Sequence, residues 1–166
     1  MDERKELSRT LVETFTRAGH VMATAESCTG GMIAASITDV AGSSSVLDRG
    51  FVTYSNEAKQ DMLGVSLATL QAHGAVSRQT AIEMAEGALA RSRADLAVSV
   101  TGIAGPDGGS AEKPVGLVHM AVARRGGGTA HRELRFGDIG RDQVRTATVV
   151  EALKALIAAG KCPTAP

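Results

Sequence analysis

The sequence predicts an α/β protein: a three-layer α/β/α sandwich on a mixed, mostly parallel sheet that ends in an antiparallel hairpin. Three observations predict it. Segments with helical periodicity alternate with short apolar or β-branched runs, the pattern of strands joined by crossover helices. Each of the first three runs is followed by a polar segment, residues 24–31, 53–59 and 101–109. The last two runs alternate in polarity, and Arg124-Arg125-Gly126-Gly127-Gly128 between them reads as a hairpin connection.

In chain order, residues 3–18 read as a helix, because Leu7, Leu11, Val12 and Phe15 recur on one face. Gly19 suits its C-cap. Residues 20–25 read as a short buried strand, and a turn over 27–31 leads into a helix over 31–38. Gly42-Ser43-Ser44-Ser45 is a loop or a capping turn. Residues 49–54 (Arg-Gly-Phe-Val-Thr-Tyr) form a strand by their β-branched and aromatic content. Ser55 or Asn56 suits the N-cap of the helical turn that follows. Residues 67–72 make a short helix, and Ser77 with Thr80 begins a longer one to about residue 93, with Ile82, Met84, Ala85 and Leu89 inward. Leu96-Ala97-Val98-Ser99-Val100 is apolar enough for a central strand. Residues 102–114 form a loop rich in Gly and Pro, residues 115–123 and 129–136 are the hairpin strands, and residues 141–159 are the last helix. The expected organisation is one domain over residues 1–160 with a frayed tail at 161–166.

Composition narrows the function classes. A 43% hydrophobic content supports a packed interior, while 2% aromatics, with no Trp and one Tyr, leaves it to Ala, Val, Leu, Ile and Met. It also leaves no platform on which nucleic-acid bases would stack. Lys plus Arg equals Asp plus Glu, 18 against 18, which gives no electrostatic ground for DNA or an anionic membrane as partner. The charged start Met1-Asp2-Glu3-Arg4-Lys5-Glu6 is no signal peptide, and no apolar run approaches the ~20 residues of a membrane span. Cys28 and Cys162 stand far apart without metal-ligand spacing and read as reduced thiols of a cytoplasmic protein. No metal or cofactor is expected, and a homo-oligomer is compatible with the sequence.

The three polar segments carry the candidate chemistry. In an open α/β sheet, ligands bind beyond the carboxyl ends of parallel strands, so three parallel neighbours would bring these segments to one edge. Ser27, Cys28 and Thr29 are each candidate nucleophiles at a strand-to-helix turn, where backbone N–H groups can hold an anion or a developing oxyanion. Capping by Ser27 or Thr29 is the plainer use of such residues, and a small buried hydrophobe the plainer use of Cys28. The second segment holds Tyr54 and Lys59; a lysine serves as a serine's base only when burial or a positive neighbour lowers its pKa. The third segment has neither the phosphate loop's Gly-Lys-Ser/Thr nor the dinucleotide fingerprint, and its glycines suit turns. Lys113 closes that loop facing a phosphate or solvent, and Arg141 and Arg145 begin the last helix within reach of an anion or of water. His20, His73, His119 and His131 are scattered, without metal-site spacing.

Together these residues resemble the CinA C-terminal domain family. The resemblance rests on Thr24-Ala25-Glu26-Ser27-Cys28-Thr29-Gly30-Gly31, Gly50-Phe51-Val52-Thr53-Tyr54-Ser55-Asn56-Glu57-Ala58-Lys59, and Thr101-Gly102-Ile103-Ala104-Gly105-Pro106-Asp107-Gly108-Gly109 with Lys113-Pro114-Val115-Gly116. It spans about residues 7–156. It implies an amidohydrolase that converts nicotinamide mononucleotide to nicotinate mononucleotide and ammonia by a metal-free serine/lysine mechanism. Position by position, it implies Ser27 as nucleophile, Lys59 as base, and Tyr54 and Thr101 as supporting catalytic residues. Thr29, Gly30, Gly31, Gly105 and Arg145 would contact the substrate. Many relatives carry a further N-terminal domain, so a stand-alone amidase is expected here. A non-catalytic nucleotide-binding module of the competence- or damage-inducible type is the alternative, with Ser27 only a cap.

Overall fold

A computed structural model describes residues 2–161, so all of the expected tail but Lys161 lies outside the described residues. The elements are α1 (Glu3–Ala18), β1 (Met22–Glu26), α2 (Met32–Thr38), a 3₁₀ turn (Ser43–Ser45), β2 (Leu47–Val52), α3 (Asn56–Leu63), α4 (Leu67–His73), α5 (Arg78–Ala90), β3 (Leu96–Gly102), β4 (Leu117–Arg124), β5 (Thr129–Arg135) and α6 (Arg141–Gly160). They build one five-stranded sheet in the order β2-β1-β3-β4-β5. β1 runs parallel to β2 and β3, and β3, β4 and β5 are antiparallel in succession. The mixed sandwich is therefore the architecture the alternation of elements predicts, and β2, β1 and β3 are parallel neighbours.

Side-chain size divides the two sheet faces. Met22, Leu96, Val98, Val100, Val118 and Met120 point to one face and pack against Leu11 and Phe15 of α1, Ile33 and Ile37 of α2, and Leu153 and Leu156 of α6. Their neighbours Ala23, Ala25, Ala97, Ala121 and Ala123 point to the other, where α5 lies with Ala81, Met84, Ala85 and Ala88. Small residues on both partners let α5 settle close enough for Ser99 Oγ to donate to the Ala81 carbonyl at 2.5 Å. Close packing of this kind replaces the bulk that aromatic residues would supply. A Cβ at Gly87 would collide with the Leu63 carbonyl, so the α5–α3 contact also needs a missing side chain.

Strand β2 differs from the 49–54 expected of it. It starts at Leu47 and stops at Val52, because its partner stops: Glu26 pairs with Val52, the last residue of each. Thr53 keeps one bond to the sheet, N–H to the Glu26 carbonyl at 2.8 Å, before the chain turns. Ser55 then caps α3, its hydroxyl accepting from Ala58 N at 3.0 Å. Tyr54 thus sits on the loop between strand and helix, not in the strand. No helix among the described residues is long and apolar enough to cross a membrane.

Candidate active site

The parallel neighbours β2, β1 and β3 end side by side, and the three polar segments converge there. They surround an open cleft of about 270 Å³ whose lining includes Ser27, Tyr54, Lys59, Thr101, Gly105 and Arg141. Larger hollows elsewhere on the surface draw no residue from the three segments.

The first segment is a tight turn held from within. Ser27 N donates to the Val100 carbonyl at 3.1 Å, which ties the turn to the end of β3. Gly30 N closes back on the Ser27 carbonyl at 3.1 Å. Gly30 and Gly31 take φ of +58° and +104°, backbone that side-chain-bearing residues rarely adopt. Beneath the turn lies Glu26, fully buried. Its Oε1 accepts from Thr29 Oγ1 at 2.6 Å and Ile33 N at 2.8 Å, and its Oε2 from Ala34 N at 3.1 Å. The carboxylate therefore occupies the N-terminus of α2, where unpaired N–H groups favour negative charge. From the other side, Arg145 Nε donates to the Cys28 carbonyl at 3.1 Å and Nη2 to the Thr29 carbonyl at 3.3 Å.

The second segment delivers the amine. α3 begins at Ser55, so Lys59 falls one turn into the helix, and its side chain runs inward. Lys59 is 1% exposed, as deeply buried as the apolar core residues. Its Nζ donates to the Thr53 carbonyl at 2.8 Å and lies 3.1 Å from Ser27 Oγ. Both partners are neutral. Burial pushes the Lys59 pKa below its ordinary value, because a desolvated ammonium is costly without a counter-charge. The neighbouring thiol moves the opposite way: burial pushes Cys28 up to about 11, so it stays protonated at neutral pH.

The third segment and the α4–α5 connection form a wall. Thr101 Oγ1 donates to the Ala75 carbonyl at 2.8 Å and holds Ala75 and Val76 against the cleft. Lys113 Nζ donates to the His73 carbonyl at 2.5 Å, pinning the same connection. Arg141, the first residue of α6, donates to the Gly105 carbonyl at 2.8 Å and to the Tyr54 hydroxyl at 3.0 Å. Tyr54 is 64% exposed at the rim.

The structure thus brings Ser27, Lys59, Tyr54, Thr101 and Gly105 into one cleft. Thr29, Gly30 and Gly31 belong to the turn and Arg145 holds its carbonyls, but none of the four is among the lining residues. The Thr29 hydroxyl is fully buried on Glu26. Glu26 and Arg141 received no firm role from the sequence. An acidic residue ending an apolar strand was the available signal for Glu26. None of the four histidines lines the cleft; His119 Nδ1 and His131 Nε2 meet at 2.8 Å on β4 and β5. Among the described residues, no group of three His, Cys, Asp or Glu side chains is placed to hold a metal ion.

Fold and cleft together define a class: an α/β sandwich with a buried serine–lysine pair at the carboxyl ends of its parallel strands. The chain belongs to the CinA C-terminal domain family, whose model matches residues 4–159. It is 54% identical over 155 residues to the nicotinamide-nucleotide amidohydrolase PncC of Escherichia coli K12, covering 93% of each chain. A crystal structure of the competence/damage inducible protein CihA from Agrobacterium tumefaciens superposes with a TM-score of 0.93 at 61% identity, covering 95% of this chain and 96% of that one. A putative competence-damage inducible protein of Caldanaerobacter subterraneus is 48% identical over 148 residues, which are 89% of this chain and 35% of the longer relative.

Proposed function

We propose that this chain hydrolyses the carboxamide of nicotinamide mononucleotide to nicotinate mononucleotide and ammonia, with Ser27 as nucleophile and Lys59 as its base. The observation that carries the mechanism is a buried Lys59 Nζ 3.1 Å from Ser27 Oγ, with no acidic hydrogen-bond partner on the amine among the described residues. The substrate follows the activity named for the Escherichia coli relative, 54% identical over 93% of the chain.

A neutral amine has two N–H groups and one lone pair. The Thr53 carbonyl takes one N–H of Lys59, and with Nζ 3.1 Å from Ser27 Oγ, turning the lone pair toward the hydroxyl lets the amine accept its proton. As Oγ attacks the carboxamide carbon, its proton passes to Nζ. Negative charge then develops on the carboxamide oxygen. Gly30 N donates to the Ser27 carbonyl, and Ile33 N and Ala34 N to Glu26, so the oxyanion falls to the N–H of Cys28, which lines the cleft beside Ser27. Such a donor is typically worth about 3–4 kcal/mol in the transition state. The Lys59 ammonium returns its proton to the departing nitrogen, ammonia leaves, and an ester on Ser27 remains. Water, deprotonated by Lys59, attacks that ester; as the Ser27–acyl bond breaks, the Lys59 ammonium returns its proton to Ser27 Oγ, and the product acid leaves and ionises to the carboxylate in solvent. The Cys28 side chain, beside the nucleophile, is held as a thiol by burial and takes no part in the bond changes.

Ammonia release from nicotinamide mononucleotide tests the proposal. Ser27→Ala and Lys59→Ala should each lower kcat at least about 10³-fold with the fold retained. Full turnover by Ser27→Ala would end the serine mechanism, and nucleotide binding without turnover by the wild type would leave only a binding module.

A further inference from the structure

We propose, resting on the amidase reading above, that Arg141 makes the cleft specific for a mononucleotide by binding the substrate's 5′-phosphate. Of the lining residues, only Lys59 and Arg141 are of cationic type. Lys59 stands at the buried end, where burial favours its neutral form. Arg141 is exposed and bridges two of the three converging segments. Its partners are a carbonyl and a phenol, so hydrogen bonding fixes the guanidinium without cancelling its charge. Two of its five N–H donors are engaged, and three remain in a planar fork that matches phosphate oxygens.

The rival cations are turned elsewhere. Arg145 places its guanidinium on the Cys28 and Thr29 carbonyls of the nucleophile turn. Lys113 Nζ sits on the His73 carbonyl at 2.5 Å. Asp107 is the acidic residue of the lining, and its carboxylate offers a phosphate no attraction, which leaves Arg141 as the group that can hold one. Arg145 then positions the nucleophile, Arg141 reads the phosphate, and Tyr54 and Gly105 position Arg141.

The test compares full-length wild type, Arg141→Gln, Arg141→Lys and Arg145→Lys. Ammonia release is measured from nicotinamide mononucleotide and from nicotinamide riboside, which lacks the phosphate. Calorimetry measures affinity for ribose 5-phosphate against ribose. Arg141→Gln should reduce the mononucleotide-over-riboside preference in kcat/KM about 30–100-fold, mainly through KM, since a charge-assisted fork is lost. Arg141→Lys should fall between, because it keeps the charge and loses the fork. Arg145→Lys should lower kcat on both substrates by one factor and leave the preference in place. Equal losses on both substrates in Arg141→Gln, unchanged ribose 5-phosphate affinity, no ribose 5-phosphate binding by the wild type, or collapse of the preference in Arg145→Lys each overturn the assignment. Arg141-dependent ribose 5-phosphate binding in a wild type that releases no ammonia would sink the amidase reading and keep the phosphate site. Turnover with a phosphate preference independent of Arg141 would do the reverse.

Discussion

Replacing Glu26 should damage both stability and catalysis, in amounts set by how its two oxygens are used. Oε1 accepts two of the three hydrogen bonds and Oε2 the third. Glu26→Gln can keep its oxygen at the Oε1 position, where Thr29 Oγ1 and Ile33 N still find an acceptor. Its NH₂ then faces Ala34 N–H, donor against donor. One charge-assisted bond is lost, and hydrogen bonds to charged groups contribute about 1.5–3 kcal/mol each. The expected cost of Glu26→Gln is therefore about 2–3 kcal/mol. Glu26→Ala strips all three bonds and leaves the fully buried Thr29 hydroxyl and two helix N–H groups without an acceptor, a cost of about 4–6 kcal/mol. That is a large share of the ~5–15 kcal/mol that holds a domain folded. Urea unfolding with unchanged m-value measures both differences. The turn over Glu26 carries Ser27, so kcat should fall with little change in KM in whichever variant stays folded. A Glu26→Ala protein within 1 kcal/mol of wild type and turning over normally would show that the carboxylate neither holds α2 nor shapes the turn.

The pH dependence of the Lys59 pair and the inertness of Cys28 give two more tests. Lys59 must be neutral to accept the Ser27 proton, so kcat/KM should rise with pH through an ionisation below 10.5, the ordinary lysine value, and then level off. A rate that climbs only above that value would refute a lysine base. In stability the sign is the same: the unfolded chain binds the proton more tightly, so folding gains as pH rises from the lowered pKa toward 10.5. Lys59→Met should consequently unfold at higher urea than wild type near pH 7, and that advantage should shrink as pH approaches 10.5. With its thiol pushed up to about 11, Cys28 should resist alkylation by iodoacetamide at pH 8, read by peptide mapping, and Cys28→Ala should keep turnover within about threefold. Loss of activity on that substitution would make Cys28 the nucleophile.

Much of the fold is legible because local patterns and global architecture agree. The spacing of Leu11, Val12 and Phe15 marks the buried face of α1, and all three are buried. The run from Leu96 to Val100 marks the central strand, paired on both sides. The end of β2 is not legible, because residues 49–54 have strand character throughout and only the length of β1 stops the pairing at Val52. Within the site, the three segments and their convergence follow from strand order. The division of labour between arginines does not. Arg141 and Arg145 lie one turn apart on the same helix, and the sequence treats them alike. One meets the cleft and the other meets carbonyls of the turn, a difference set by how α6 crosses the sheet.

What the sequence by itself determines is the set of elements, the polar turns after three strands, and the residue types those turns present. These depend on neighbours within a few positions, on periodicity, and on glycines where the backbone turns left-handed. What only the tertiary structure decides is which polar groups lose their water and whom they then meet. Lys59 follows Ser27 by 32 positions, and nothing local distinguishes it from a solvated helix lysine. Burial against the ends of β1 and β2 removes its solvent, supplies no carboxylate hydrogen-bond partner among the described residues, and sets its amine against Ser27 Oγ. Desolvation is a property of the packed whole, and here it is what turns an ordinary lysine into a candidate base.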